Sequence, residues 1–216
     1  MAGWELTFDG TRRDLFHAQC YEFMATGAAT RDAISGPVTV FTHTEERCRW
    51  CGRHLTILVD CDLRDPRLTF LDEQRERLCI PMCLNCSLQD ERIFSDLDPY
   101  SVARWSDASG KRPEYLDLDV FDGCEELTAQ QKLGLCSLRR TPYETIGLYW
   151  HTGLSQLGGH PEWVQSPGYP QCPSCRQTMT CVGQLGLIDI QPGTEGMIYA
   201  FYCAPCGKAT TGYQQT

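Results

Sequence analysis

The stretches Cys-Arg-Trp-Cys at 48–51 and Cys-Pro-Ser-Cys at 172–175 decide how this chain is organised. A second Cys-x-x-Cys pair follows each of them, after intervening segments at 52–82 and 176–202. Four thiolates in two such pairs are a usual ligand set of structural zinc. The predicted ligands are Cys48, Cys51, Cys83 and Cys86 in the first set, and Cys172, Cys175, Cys203 and Cys206 in the second. The sequence therefore predicts two structural Zn²⁺ ions per chain.

Three alternatives to this ligand assignment stay open from the sequence, and the first is that the paired cysteines are buried thiols without a metal. A Cys-x-x-Cys pair is also a redox motif, although four pairs arranged as two sets favour metal. Cys79 and His54 lie close enough to the first set to replace one of its ligands. In a zinc site of either composition, four cysteines or one with a replaced ligand, protein atoms fill every coordination position, which is typical of structural rather than catalytic zinc.

The two cysteine sets lie in segments that resemble each other at an offset of 124 residues. Leu55 then corresponds to Met179, and Leu58 corresponds to Val182. Each copy reads as knuckle, strand, turn, strand and knuckle, with turns at 60–66 and 189–196. The pattern predicts an internally duplicated, pseudo-symmetric unit with two zinc-ribbon-like sites.

Periodicity in the rest of the chain predicts a few flanking elements. Residues 11–25 and 125–138 have apolar side chains at helical spacing, whereas 37–41 and 115–121 read as strands. The expected fold class is α+β, mainly antiparallel β. The expected parts are 1–45 as an N-terminal helix and strand, 46–123 as the first zinc-binding half, 124–149 as a linker helix and 150–216 as the second zinc-binding half, with the two halves packed as one domain.

Composition and charge limit the function classes. The chain has 216 residues, a formal net charge of −9 and 42% hydrophobic residues, as ordinary globular proteins do. No apolar run is long enough for a membrane helix, and the N-terminal residues do not read as a secretory signal, which predicts a cytoplasmic protein. The acidity argues against nucleic acid as the main partner, since phosphate binding depends on clustered Lys and Arg.

Several stretches of the second half are similar to a known family. These are Leu-Gly-Gly-His-Pro-Glu-Trp-Val-Gln at 157–165, Pro-Gln-Cys-Pro-Ser-Cys at 170–175 and Gly-Met-Ile-Tyr-Ala-Phe-Tyr-Cys at 196–203. They resemble the YwqG-like bacterial family, which is related to the eukaryotic programmed-cell-death-2-like proteins. Many bacterial members lack one or both zinc sites, so the metal prediction rests on the cysteines of this chain.

The resemblance implies a mainly antiparallel, pseudo-symmetric fold and a protein-binding function. Eukaryotic relatives escort a ribosomal protein, and some bacterial relatives are regarded as immunity proteins of toxin systems. Neither role has catalytic residues to transfer, and the sequence contains no nucleophile elbow, P-loop, dinucleotide fingerprint or zinc-protease helix. The expected function is a non-catalytic immunity protein that neutralises a toxin. A chaperone for a basic ribosomal protein is the alternative, and a nucleic-acid-binding zinc protein is the second alternative.

Two regions are candidate partner surfaces. Acidic residues concentrate between 114 and 126, which would suit a basic protein such as a toxin or a ribosomal protein. The other region is the Gly-Gly-His-Pro-Glu-Trp loop at 158–163. The predicted partner-binding residues are Asp117, Asp119, Asp122, Glu125, Glu126, His160, Glu162 and Trp163.

Overall fold

The computed structural model describes most of the chain, with gaps. The described residues are 4–6, 12–14, 20–25, 33–40, 42–64, 68, 71, 75–89, 92–100, 102–118, 131–139, 155–159, 161–190 and 194–215.

Antiparallel β-strands dominate the described residues. The strands are β1 (Trp4–Leu6), β2 (Arg12–Asp14), β3 (Cys20–Ala25), β4 (Ala33–Val40), β5 (Thr42–Arg47), β6 (His54–Asp62), β7 (Arg77–Met82), β8 (Phe94–Leu97), β9 (Ala103–Trp105), β10 (Gln131–Arg139), β11 (Gln156–Gly158), β12 (Thr180–Gly186), β13 (Met197–Cys203) and β14 (Lys208–Gln214). The α-helices in the described part, α1 (Leu84–Ser87) and α2 (Leu187–Ile190), are single turns. None of the described helices is both long and apolar enough to cross a bilayer. The prediction of a mainly antiparallel β protein is therefore confirmed.

One large sheet contains strands from both predicted halves. Its order is β5-β6-β4-β10-β3-β11-β12-β13-β14-β8-β9, with β7 paired to β6 outside this path, whereas β1 and β2 pair separately. The link between the halves on one side is the pairing of β14 with β8. Two hairpins within this sheet, β6–β7 and β12–β13, carry the cysteine pairs at their ends.

These two hairpins pair in the same register. Thr56 lies opposite Met82, and Thr180 lies opposite Tyr202 at the corresponding position. An irregularity interrupts the first ladder between Ile57 and Val59, and the second ladder is interrupted at the corresponding place, between 181 and 183. A shift of register by one residue would turn every side chain to the other face. Corresponding residues of the two hairpins can therefore face the same core, as Leu58 and Val182 do.

The main hydrophobic core lies between the two hairpins. Leu58, Ile80 and Met82 of the first hairpin belong to the same buried cluster as Val182 and Ile198 of the second. β13 is buried along its whole length, and all seven of its residues avoid solvent. A strand with both faces covered reads as a continuous apolar run rather than an alternation, which explains Met-Ile-Tyr-Ala-Phe-Tyr-Cys at 197–203.

The helix predicted at 11–25 is wrong. The described residues of this segment form β2 and β3 instead. β3 pairs with β10 on one side and with β11 on the other, so its backbone groups are satisfied within the sheet. A few apolar residues at helical spacing predict a helix only weakly, because tertiary contacts such as this strand pairing override local propensity. The part of the expected strand at 37–41 that is described is confirmed as the end of β4.

The linker helix predicted within 124–149 is also wrong over its described residues. Residues Gln131–Arg139 form β10, which lies between β3 and β4 in the sheet. In its sequence, Gln-Lys-Leu-Gly-Leu-Cys-Ser-Leu-Arg, only Leu133 and Leu135 have the spacing of a strand, and Leu138 is out of phase with them. Pairing with β3 and β4, rather than a local period of two, therefore holds this segment extended.

The strand predicted at 115–121 does not form in its described part. Residues 115–118 have no strand pairing. The Gln89 side chain satisfies the backbone there, because its amide donates to the Asp117 carbonyl (2.6 Å) and its oxygen accepts from the Asp117 N–H (3.1 Å). The remaining positions of the expected strand, 119–121, lie outside the described residues.

Candidate metal centres

The first cysteine cluster is built from two turns at one end of the β6–β7 hairpin. Cys48 and Cys51 lie in a knuckle before β6 that is closed by hydrogen bonds from the Cys48 N–H to the Arg53 carbonyl (2.9 Å) and from the Gly52 N–H to the Cys48 carbonyl (2.8 Å). Gly52 has a φ of 77°, a conformation that glycine adopts at little cost. The other pair begins where β7 ends, and the Cys86 N–H donates to the Cys83 sulfur (3.4 Å).

The second cluster repeats this arrangement at the end of the β12–β13 hairpin. The Cys172 N–H donates to the Gln177 carbonyl (2.8 Å), and the Arg176 N–H donates to the Cys172 carbonyl (2.8 Å). Arg176 corresponds to Gly52 and has a φ of 59°, an uncommon conformation for a residue with a side chain. The same backbone turn thus presents the leading cysteine pair in both halves.

The sulfur positions fit one metal ion in each cluster. In each group of four cysteines, the ligand atoms all lie within 4.8 Å of one another. The Sγ–Sγ distances include 3.8 Å for Cys48–Cys86 and 3.7 Å for Cys175–Cys203. Four sulfurs about 2.3 Å from a tetrahedral zinc ion would lie roughly 3.8 Å apart. Both groups could therefore hold a metal ion through four thiolates, as the sequence predicts.

The thiols of each cluster have unequal acidities. Hydrogen bonding to Cys48 lowers the pKa of Cys51, while hydrogen bonds to Cys48 and Cys51 raise the pKa of Cys86. In the second cluster, burial opposes ionisation of Cys172, but hydrogen bonds to the backbone of Cys175 and Ser174 bring its pKa to about 7. Ionising neighbouring thiols brings like charges together, and a bound cation compensates for that repulsion. Metal binding at such a cluster releases protons and strengthens as pH rises.

A cover of side chains protects the first cluster. Trp50 and Trp105 pack edge to face with ring centroids 5.5 Å apart, and Leu116 belongs to the same buried group. The Trp50 indole donates to the Gly110 carbonyl (3.1 Å). This cover could not be predicted from the sequence, since no motif in residues 105–116 indicates that they pack over the first knuckle.

Aromatic rings surround one side of the second cluster. The ring centroid of Trp163 lies 4.6 Å from that of Tyr199 and 5.1 Å from that of Tyr169. Phe201 belongs to the same group, which packs around Cys172 and Cys203. The knuckle at 173–178, in contrast, is exposed at every residue. One side of the second cluster is therefore packed against aromatic rings, whereas its knuckle at 173–178 is open to solvent.

The two substitute ligands considered for the first cluster are not part of it. The Cys79 thiol lies 3.3 Å from an Asp60 carboxylate oxygen, and burial raises its pKa to about 12. The exposed His54 ring lies with Nδ1 2.8 Å from the Thr44 carbonyl oxygen. Both residues are thus engaged elsewhere, and the four predicted cysteines make up the cluster.

The predicted partner residues are only partly within the described chain. Asp117 is exposed next to the segment that covers the first cluster. Glu162 is half-buried, and its N–H donates to the Gln184 side chain (2.7 Å). Trp163 is half-buried in the aromatic group, so most of its ring packs within the protein. Asp119, Asp122, Glu125, Glu126 and His160 lie outside the described residues, and partner binding at either region stays a prediction.

The structure also contains a surface cavity that the sequence analysis missed. Its volume is about 420 Å³, and it lies between β5, β7 and β9. Tyr100 and Val102, at the tip of the β8–β9 hairpin, border it and are 86% and 51% exposed. Asp98 holds this tip by accepting hydrogen bonds from the N–H groups of both residues, each 2.9 Å long. The sequence shows two apolar residues, Tyr100 and Val102, close together in a polar turn. Only the packing of the strands places them beside a cavity.

The fold and the two clusters define a mainly antiparallel β protein with two four-cysteine candidate metal sites. No family model matches the chain, and no solved structure matches it. Among curated proteins, the chain is 33% identical over 219 residues to the uncharacterized protein YpfL of Salmonella typhimurium (strain LT2). The match covers 100% of this chain and 49% of YpfL, so the chain spans about half the length of the curated relative it matches. The resemblance to the YwqG-like family stays a prediction.

Proposed function

We propose that the chain is a non-catalytic, zinc-stabilised protein-binding protein of the cytosol. The observation that carries the metal part is the closed set of four cysteine sulfurs in each cluster. Thiolates select zinc among the common divalent ions, and four protein ligands leave no position for substrate or activated water. Eight closely spaced thiols also suit a reducing compartment, where they stay free to bind metal.

The first prediction concerns metal content. Protein purified without added metal should contain about two zinc ions per chain, the number expected from two four-ligand sites. Elemental analysis of the folded protein measures this, and removing the metal with a chelator should lower the melting temperature, since zinc binding contributes folding free energy. A folded, monodisperse preparation that contains no zinc would contradict the proposal.

We also propose that the two hairpins arose by internal duplication. The support is the matched set of knuckle hydrogen bonds, at Cys48 and Cys172, together with the shared ladder register and its shared interruption. The ladders of the two hairpins are interrupted at the same distance from their cysteine pairs, as descent from one hairpin would explain. Duplication accounts for both features at once, and for the offset of 124 residues in the sequence.

The partner that we propose is a basic protein, and the role that we favour is immunity to a toxin. With eight thiolates and two Zn²⁺ ions, the formal charge falls from −9 to about −13. Complementary charge accelerates association with a basic surface and makes it sensitive to salt. Escorting a basic ribosomal protein is the alternative role with the same electrostatic signature. The identity of the protein that copurifies with the native chain distinguishes the two roles.

The second prediction concerns the acidic region. Reversing Asp117 and Asp119 to Lys should slow association with the purified native partner several-fold, because it replaces attraction by repulsion. Raising salt from about 0.05 to 0.5 M should slow the wild type likewise, as the Debye length falls from about 14 to 4 Å. Stopped-flow or surface-based kinetics with purified components measures both effects.

A matched control separates local charge from total charge. Glu195 is an exposed acidic residue in the connection between α2 and β13. Glu195→Lys makes the same charge change as Asp117→Lys alone but should leave the association rate nearly unaltered. Equal slowing by both variants would mean that only net charge matters, and no slowing by either would exclude the acidic region as the binding surface.

A further inference from the structure

The two metal clusters differ in how solvent reaches their ligands. Solvent reaches one ligand of the first cluster, Cys51, but two ligands of the second, Cys175 and Cys206. Cys51 and Cys175 occupy corresponding positions in the two knuckles. Their sulfurs also have corresponding neighbours, because Cys51 lies 3.4 Å from Cys83 and Cys175 lies 3.7 Å from Cys203. The sulfur geometry is therefore similar in the two clusters, while their accessibility differs.

The difference follows from what packs over each knuckle. The first knuckle lies under the segment that contains Trp105 and Leu116, and Arg49 beside it pairs with Asp107 (2.6 Å). The residues of the second knuckle, 173–178, are all exposed. A reagent must reach a sulfur to react with it, so the two clusters offer unequal targets.

We propose that Cys175 is a peroxide-reactive modification site whose oxidation releases the metal of the second cluster while the first cluster keeps its own. This inference rests on the proposed zinc occupancy of both clusters. It adds a chemical function to one of them: the first cluster is a permanent structural site, and the second is a structural site that an oxidant opens.

The reaction balances with hydrogen peroxide as the oxidant. The Cys175 thiolate attacks one peroxide oxygen, the O–O bond breaks, and a sulfenic acid forms while hydroxide leaves and takes up a proton. The Cys203 thiolate, 3.7 Å away, then attacks the Cys175 sulfur, forming a disulfide and expelling a second hydroxide, which also becomes water. Two thiolates lose two electrons in total, and one peroxide and two protons become two waters. A Zn²⁺ ion bound by this cluster would then be left with Cys172 and Cys206 as its remaining thiolate ligands and would be released.

Release of this ion should loosen the aromatic group beneath it. Trp163 packs against Tyr199 and Phe201 in the buried group that includes Cys172 and Cys203. Trp50 and Trp105, in contrast, report on the first cluster. Oxidation of the second cluster should therefore alter the fluorescence of Trp163 before that of the other two, and a Trp163→Phe variant identifies this component.

The experiment measures zinc release from the zinc-loaded full chain. Hydrogen peroxide is added in the presence of a chromophoric chelator, and the starting zinc content is determined first. We expect two phases, with one zinc ion released at least about tenfold faster than the other, since thiolate oxidation follows access. Mass spectrometry after the fast phase should find the Cys175–Cys203 disulfide and four intact cysteines in the first cluster.

Two variants assign the fast phase. Cys175→His should still bind two zinc ions, because three thiolates and one imidazole form a common structural site. Its fast phase should slow several-fold, since the partly exposed Cys206 is the one accessible thiolate left in that cluster. Cys51→His makes the corresponding change in the first cluster and should retain the fast phase. If Cys175→His does not fold, the cysteine mapping of the oxidised wild type decides the assignment by itself.

The outcomes separate this inference from the proposed function. A starting content well below two zinc ions would contradict the proposed metal occupancy and with it this inference. Two bound ions released in one phase, or oxidation of Cys51 before Cys175, would overturn the inference alone and leave the two structural zinc sites intact.

Discussion

Cys83→Ala should give a chain that retains one zinc ion and loses the folded structure around the first cluster. Cys83 is fully buried and lies at the junction of β7 and α1, where its sulfur also accepts the Cys86 N–H. The binding free energy of a structural zinc site is about 10–16 kcal/mol, whereas a whole domain is stable by about 5–15 kcal/mol. Loss of one such site is therefore a large fraction of total stability. Zinc analysis and thermal unfolding measure the effect.

Cys79→Ala is the matched control for this substitution. Cys79 lies in β7, four residues before Cys83, is also buried, and has a thiol that bonds to Asp60 rather than to the cluster. Its replacement should cost only about 0.5–1.5 kcal/mol, the usual contribution of one hydrogen bond, and should leave two zinc ions bound. If Cys79→Ala lost as much zinc as Cys83→Ala, the ligand assignment would be wrong.

Gly183→Ala should destabilise the protein through a backbone clash. A Cβ added at Gly183 would lie 2.5 Å from the Gln156 carbonyl oxygen and 3.2 Å from the Leu157 Cα, because β11 approaches β12 closely at this point. Neither contact is with a flexible side chain, so a strand must move. We expect a loss of about 1–3 kcal/mol, the usual cost of overpacking, and a melting temperature roughly 3–10 °C lower by calorimetry.

Gly212→Ala is the control for the glycine substitution. A Cβ at Gly212, in β14, would meet its nearest neighbour, Phe201, at an ordinary 3.8 Å. This variant should be close to neutral, or slightly more stable, because alanine restricts the unfolded chain. If Gly183→Ala proved as stable as Gly212→Ala, β11 would not lie against β12 as described.

The comparison of Gly183 with Val59 illustrates what a repeat in sequence cannot specify. The two residues occupy corresponding positions just after the ladder irregularities of their hairpins. Val59 is buried in the main core, whereas Gly183 has the backbone of β11 where a side chain would be. The neighbour on the outer side of each hairpin differs, and that neighbour decides which residue the position tolerates.

The cysteines of the two clusters could be identified from the sequence because their signal is local. A Cys-x-x-Cys knuckle is a short turn with its own hydrogen bonds, and the strands beside it carry alternating apolar residues. Four cysteine pairs arranged as two sets therefore predicted both clusters and the hairpins that join them. The predicted helices at 11–25 and 125–138 failed for the opposite reason. The backbones of β3 and β10 bond to strands far away in the chain, and no local pattern records that pairing.

The eight clustered cysteines and the hairpin between each two pairs could thus be predicted from the sequence, because they depend on contacts between segments close in the chain, such as Cys48 and Cys86, which are 38 residues apart. Tertiary structure alone decided that β14 pairs with β8 across the halves, that Trp105 and Leu116 cover the first cluster, and that Cys175 remains open to solvent. Burial depends on which distant segment packs over a site. Two sites with the same local sequence pattern can therefore differ in the access that governs their chemistry.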